Sequence, residues 1–363
     1  MIGDETLDVE LGEVLFENEE RLAQKIAEAI AEKVAVADAA RRLAKDKGEK
    51  IYQPMCPALR DAHPKAHGCV EAEFRVEGTL PPHLAQGVFQ PGRTYQAYIR
   101  FSNGDSDPER ADAMRDARGM AIKLLGVPGD KILADEREAS TQDFIMINHP
   151  VFFADDPAHY LELVQATGSS NPLARVEQLH ALGLKGALIA LAATSSTISS
   201  PFQTRYWSMV PYRLGDPPHK QAIKFSARPC LPEDTTVPEG AGQDYLRETM
   251  IKQLDEMDVQ FDFEVQPRTS PSMSVENSRV EWREEDAPFI KVATIVIPKQ
   301  KFATPERDQF GENLSFTPWH ALPQHRPLGS INRTRRVVYQ TISKLRHELN
   351  RTERFEPSAF EAD

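Results

Sequence analysis

The chain has 363 residues, of which 40% are hydrophobic and 27% charged, so it can bury a sizeable core in one large or two ordinary domains. Its net charge of -12 disfavours a phosphate-backbone partner, and no basic stripe interleaved with aromatic residues offsets that charge. These features argue against nucleic-acid binding and predict a soluble globular protein.

The first residues lack the basic start and apolar core of a secretory signal. Three cysteines form no CxxC pair, which fits a reducing compartment better than a disulfide framework. The long apolar run, residues 186–193, is too short to span a bilayer and predicts a buried helix. We therefore expect a cytoplasmic protein without a membrane span.

The first predicted element is a helix over residues 18–47. Leu22, Ile26, Ile30 and Val34 follow one another at four-residue spacing, and acidic residues occupy the first turn. This narrow stripe predicts a helix that docks onto the main body or onto a second subunit. The alternative, a helix on a membrane surface, is disfavoured by the acidic start.

From about residue 68 the sequence alternates between apolar and polar residues, as strands do. A helical stretch over 157–183 interrupts the series. The predicted strands cover residues 69–76, 94–101, 119–125, 144–147, 221–226, 259–265 and 290–297. Many strands with inserted helices predict an α+β protein built on one antiparallel, barrel-like sheet. A nucleotide-binding fold loses its main support because glycine-rich phosphate loops are absent.

The domain division follows from these elements. We expect an N-terminal helical extension over residues 1–50, one domain over 51–352 that ends in a helix from Arg333, and a flexible polar tail over 353–363.

Arg335 and Tyr339 lie four residues apart in this last helix, so they share one face, and Arg346 joins them two turns later. A cation beside a phenol favours the phenolate, which is a hard anionic ligand for ferric iron. The alternative is a solvated arginine that packs on a tyrosine ring. Upstream, His67, Ser102 and Asn148 fall in apolar, strand-like surroundings and are candidates for the other half of such a site.

Several separated segments resemble the haem catalases and the wider catalase-related superfamily, which includes small bacterial peroxidases and allene oxide synthase domains. The matching segments occur in the family's order and are residues 66–68, 100–102, 115–123, 148–153 and 335–346. The resemblance implies a catalase-like antiparallel β-barrel with surrounding helices, a C-terminal helix that carries the haem ligand, and haem b with its iron as the cofactor.

Carried over residue by residue, the resemblance implies that Tyr339 ligates the iron and that Arg335 is its charge partner. His67 is then the distal acid and base, with Ser102 orienting its ring and Asn148 donating a hydrogen bond to the peroxide.

The remaining implied contacts are with the porphyrin itself. Arg100 and Arg346 would bind the haem propionates, and Phe153 would stack near the ring. Each residue also has a plainer interpretation: a core histidine for His67, a surface cation for Arg346 and ordinary core for Phe153.

The chain departs from catalases at two places around His67. Where catalases carry arginine three residues before the distal histidine, this chain has Pro64. The residue immediately before is Ala66, which is smaller than its counterparts and would admit bulkier hydroperoxides.

These features predict a haem peroxidase or catalase-like oxidoreductase that acts on hydrogen peroxide or organic hydroperoxides with a small-molecule reductant, and that forms a homodimer. The alternatives are an allene-oxide-synthase-like enzyme that rearranges a fatty-acid hydroperoxide, and a catalytically inactive haem-binding protein.

Overall fold

The computed structural model describes residues 7–49, 58–166 and 172–360, and for residues 172–182 it describes the backbone alone. The helices are α1 Glu19–Asp46, α2 Pro157–Ala166, α3 Pro172–Ala193, α4 Tyr245–Glu256, α5 Pro305–Asn313 and α6 Ser330–Asn350. The strands are β1 Ala66–Val76, β2 Thr94–Asn103, β3 Arg118–Leu124, β4 Gln142–Ile147, β5 Tyr206–Trp207, β6 Tyr212–Leu214, β7 Gln221–Pro229, β8 Val259–Pro267 and β9 Ile290–Ile297.

Within the described residues, nine antiparallel strands form one sheet in the order β5-β4-β3-β2-β1-β9-β8-β7-β6. The sheet closes because the two-residue strand β5 pairs with β4 on one side and with β7 on the other, where Tyr206 faces Ala227. Eight strands therefore form a barrel, and β6 extends it from β7. The predicted α+β class and the antiparallel barrel are confirmed.

Aromatic side chains fill the barrel interior. Phe263 packs edge-on against Phe74 with ring centroids 5.0 Å apart, and Phe144 lies 4.8 Å from Phe263. Each such pair adds about 0.5–1.5 kcal/mol beyond the area it buries. Because the alternating strands direct these rings inward, the polar residues between them reach the outer face, where a site can form.

The N-terminal helix α1 docks onto the body of the protein, as its stripe of apolar residues predicts. Ile26, Ile30 and Val34 are buried against α2 and α6, where they meet Val338 and Ile342. The helix therefore forms part of the wall around α6.

One helix prediction is wrong about burial. Residues 186–193 belong to α3, but Leu188 is 58% and Leu191 64% exposed, so this apolar run is not a buried helix. It follows a break at Gly183, whose φ of 61° lies in the left-handed region. Among the described residues, no helix has the length and hydropathy needed to cross a membrane.

The predicted domain boundary near residue 50 lies outside the described residues. The tail lies against the barrel and α5: Glu356 pairs with Lys123 at 2.7 Å, Phe360 packs on Tyr98, and Phe355 packs on Phe310.

Candidate functional site

A cavity that is partly open to solvent lies between the outer face of the barrel and α6. Arg100 and Ser102 reach it from β2 because Ile99 and Phe101, which alternate with them, point into the core. Tyr339 and Arg346 reach it from α6, and Ile30 of α1 also lines it. The fold thus brings two distant parts of the chain to one site.

The predicted pair on α6 has the expected geometry. Arg335 donates from Nη2 to the hydroxyl of Tyr339 over 3.1 Å, and from Nη1 to Oδ1 of Asn332 over 3.1 Å. Burial alone would lower the pKa of Arg335, but Tyr339 and Tyr212 outweigh it and raise the pKa above its ordinary value. A permanently charged guanidinium therefore faces the phenol oxygen.

The histidine that lines this cavity is His63, not His67. His63 Nδ1 lies 3.0 Å from the hydroxyl of Ser102 on β2. Its φ of 61° is uncommon for a residue with a side chain, and such backbone conformations cluster at functional sites. Burial, with Arg100, Arg60 and Arg335 adding to it, lowers the pKa of His63 to about 4. The imidazole is therefore neutral near pH 7.

A glycine makes room for this imidazole. A Cβ atom on Gly119 of β3 would lie 2.6 Å from His63 Nδ1 and 2.8 Å from the hydroxyl of Ser102. Any side chain at residue 119 would therefore displace the contact between the ring and Ser102.

His67 is buried in a separate polar network. Its Nε2 lies 2.9 Å from Oδ1 of Asn103, and its Nδ1 lies 3.8 Å from Asp112. The pairing of β1 with β2 shifts register between Ala66 and Gly68, so His67 sits at an irregularity of the strand and turns toward this network. The geometry therefore does not support the predicted distal role of His67.

His67 should contribute to the pH dependence of folding. Burial, with Arg118 and Lys65 opposing the effect of Asp112, lowers its pKa from 6.5 to about 4. Between these two values the unfolded chain binds more protons than the folded one, so stability falls as the pH falls through this window. The loss amounts to up to roughly 3 kcal/mol at about 1.4 kcal/mol per pKa unit.

To check this prediction, the unfolding free energies of wild type and His67→Gln are measured in urea from pH 7 to pH 4. The variant should lose less stability than wild type as the pH falls. Equal slopes of unfolding free energy against pH in the two proteins would contradict the prediction.

Of the other predicted residues, Arg100, Ser102, Arg346 and Tyr339 line the cavity, and Asn148 and Phe153 do not. Asn148 accepts from the backbone N–H of Arg118 and donates to the hydroxyl of Ser196 over 3.1 Å. Phe153 packs on Phe152 and Tyr160, with centroids 4.0 Å and 6.1 Å away. The predicted roles of Asn148 and Phe153 stay predictions.

Arg60 is a cavity residue that the sequence analysis did not single out. It lies three residues before His63, which is the spacing that the resemblance gives for an arginine before the distal histidine. Ala62 precedes His63, so the residue before the histidine is alanine on either assignment. This spacing is the sequence signal that could have pointed to His63 rather than to His67.

Comparisons with known proteins relate the chain to the catalases. A sequence model of the catalase family matches residues 47–181. The chain is 26% identical to the "Catalase-related peroxidase" of Mycolicibacterium paratuberculosis over 309 residues, which is 82% of this chain and 91% of that protein. It is 29% identical to "Catalase easC" of Claviceps fusiformis over 115 residues, or 30% of this chain and 21% of that protein.

The fold is similar to that of solved catalases. A fungal catalase matches 87% of this chain with a TM-score of 0.61 at 17% identity, and a bacterial catalase matches 87% with 0.64 at 16%. Catalase A from Saccharomyces cerevisiae matches 88% with 0.61 at 18%. The chain spans about three fifths of the first two, namely 62% and 61% of their lengths, and 67% of the third. A family model, a sequence relative and solved structures thus all relate this chain to the catalase-related superfamily that the sequence resembles.

Proposed function

We propose that this chain is a haem-dependent peroxidase that reduces hydrogen peroxide or an organic hydroperoxide with a small-molecule reductant. The supporting observation is that Tyr339 and His63 line one cavity, Tyr339 from α6 and His63 from the loop before β1. The similarity to a protein named as a catalase-related peroxidase, which this chain matches over 91% of its length, points to peroxide as the substrate.

The cavity residues fit haem b. Tyr339 would be the iron ligand, with Arg335 donating to its oxygen. Arg60, Arg100 and Arg346 line the same cavity and match the two carboxylates of the porphyrin. Bound haem would supply the redox chemistry that cleaves the peroxide O–O bond.

His63 would move the proton of the peroxide. A neutral ring that donates from Nδ1 to Ser102 presents an unprotonated Nε2, which can accept a proton from one peroxide oxygen and return it to the leaving oxygen. The lowered pKa keeps this form available at neutral pH. Ser102 then acts as a positioning residue that orients the ring of His63. The sequence analysis assigned it the same role toward His67.

Gly119→Ala should lower peroxidase turnover on the order of 10²-fold while haem remains bound, because the added methyl group pushes His63 away from Ser102. Steady-state kinetics together with the Soret spectrum measure both effects. Gly78→Ala is the matched control, since a Cβ at Gly78 meets nothing within 4 Å. Unchanged turnover in Gly119→Ala would show that peroxide turnover does not depend on the contact between His63 and Ser102.

The proposed function is tested by reconstituting the full chain with haem and recording its absorption spectrum. With hydrogen peroxide and a dye reductant, dye oxidation should be faster than oxygen evolution. With cumene hydroperoxide, dye oxidation should accompany reduction of the hydroperoxide to its alcohol. A protein that binds haem but turns over neither peroxide would be a haem-binding protein instead.

Product analysis with a fatty-acid hydroperoxide in the absence of reductant detects the rearrangement alternative. The homodimer and the cytoplasmic location stay predictions.

A further inference from the structure

The three cavity arginines share one buried carboxylate. Glu312, near the end of α5, is 2% exposed. Its Oε2 lies 2.7 Å from Nη1 of Arg60 and 3.5 Å from Nη2 of Arg100, and its Oε1 pairs with Arg346. The arginines come from a loop, a strand and a helix, so Glu312 joins three separate elements behind the cavity.

Backbone carbonyls at the C-terminal end of α5 also accept hydrogen bonds from two of these guanidiniums. Nη2 of Arg60 donates to the carbonyl of Leu314 over 2.7 Å, and Nη2 of Arg346 donates to the carbonyl of Glu312 over 3.2 Å. A Cβ on Gly311 would lie 2.6 Å from Cβ of Cys69 on β1, so this helix end rests directly on the barrel. The carboxylate is thus attached to a well-packed part of the fold.

These four side chains together carry more positive than negative formal charge. Three arginines and one glutamate carry a formal charge of +2, and two carboxylates of a bound porphyrin would bring -2. Burial raises the pKa of Glu312, but Arg60, Arg346 and Arg100 outweigh it and hold the pKa below its ordinary value, so the carboxylate is ionised. All three arginines line the cavity, whereas Glu312 does not.

The same group reaches the proposed distal histidine. Nη2 of Arg100 donates to the backbone carbonyl of His63 over 2.9 Å. A shift of Arg100 would therefore also move the loop that carries His63.

We propose that Glu312 is the resident counter-ion that holds Arg60, Arg100 and Arg346 in place until the propionates of a porphyrin bind to their cavity side. This inference rests on the proposed haem-binding function. It makes Glu312 a positioning residue: it acts through the arginines and would not contact the reacting atoms. When propionates are bound they add negative charge beside the same arginines, so the protein depends less on Glu312.

The test compares melting temperatures of the full-length chain without haem, with haem, and with haem dimethyl ester, which has the same ring without free carboxylates. Glu312→Gln should lower the melting temperature of the haem-free chain by about 5 °C or more, because it removes the carboxylate shared by three clustered guanidiniums, of which those of Arg100 and Arg346 are buried. Haem should restore most of the loss, and the dimethyl ester should not. Glu306→Gln, an exposed acid on the same helix, is the matched control and should change nothing.

Two results would overturn the inference. One is an unchanged melting temperature in haem-free Glu312→Gln; the other is a loss that haem and its dimethyl ester restore equally. If Glu312→Gln does not fold without haem, the double variant Glu312→Gln/Arg60→Gln decides, because removing one cation should restore folding only if excess charge is the cause. Failure of the proposed function is separate, since wild type itself would then not bind haem.

Discussion

Replacing His63 with alanine is expected to lower peroxidase turnover by about 10²–10⁴-fold, the usual contribution of a general acid–base group. The ring lines the cavity, is held by Ser102 and is neutral near pH 7, so its loss removes the group that transfers the peroxide proton. Haem should remain bound, because the side chain is not the proposed ligand. Turnover per bound haem, taken from stopped-flow and steady-state assays, measures the effect.

His67→Ala is the matched variant, four residues further along the chain. His67 contacts Asn103 and Asp112 rather than the cavity, so its removal should cost stability, about 1–3 kcal/mol for the unpaired polar groups left behind, and should leave turnover per folded molecule within a few-fold of wild type. The opposite pattern, with turnover lost in His67→Ala and kept in His63→Ala, would reject the assignment of His63 and restore the one drawn from the sequence.

Tyr339→Phe is expected to abolish stable haem binding or to shift the Soret band strongly. The substitution keeps the ring and removes only the oxygen to which Arg335 donates. Replacing a residue that merely supports a metal ligand lowers metal affinity by about 10–100-fold. Replacing the ligand itself should therefore lower haem affinity by more than about 100-fold. Titration of the haem-free chain with haem, followed by absorption, gives the dissociation constant.

Tyr160→Phe is the control for this substitution, because Tyr160 lines the same cavity from α2 and its hydroxyl is not the proposed ligand. Its Soret band and haem affinity should match those of wild type. An unaltered spectrum in Tyr339→Phe would contradict phenolate ligation and would require another donor in the cavity.

The helices and strands that are long enough to show an apolar pattern were predictable from the sequence. The seven predicted strands correspond to β1–β4 and β7–β9, and the helices α1 and α6 have nearly the predicted bounds, because apolar periodicity reports which face of each element is buried. The two strands β5 and β6 were missed, since two or three residues are too few to show a period. Yet β5 closes the barrel, through pairings that connect residues far apart in the chain.

The residues of the candidate site also fall into two groups, those that local spacing predicts and those that only contacts between elements bring together. The contact between Arg335 and Tyr339 followed from the sequence alone, because a helix places residues four apart on one face whatever surrounds it. The choice between His63 and His67 did not follow from the sequence. The two residues are only four apart, His63 in the loop before β1 and His67 in β1, and only the packing of that segment against β2 and β3 decides which ring enters the cavity. The grouping of the arginines around Glu312 was likewise settled by tertiary structure, since their side chains meet across gaps of up to 286 residues of chain. Local spacing determines what a single helix or strand presents, and the contacts between elements determine which of those groups share a site.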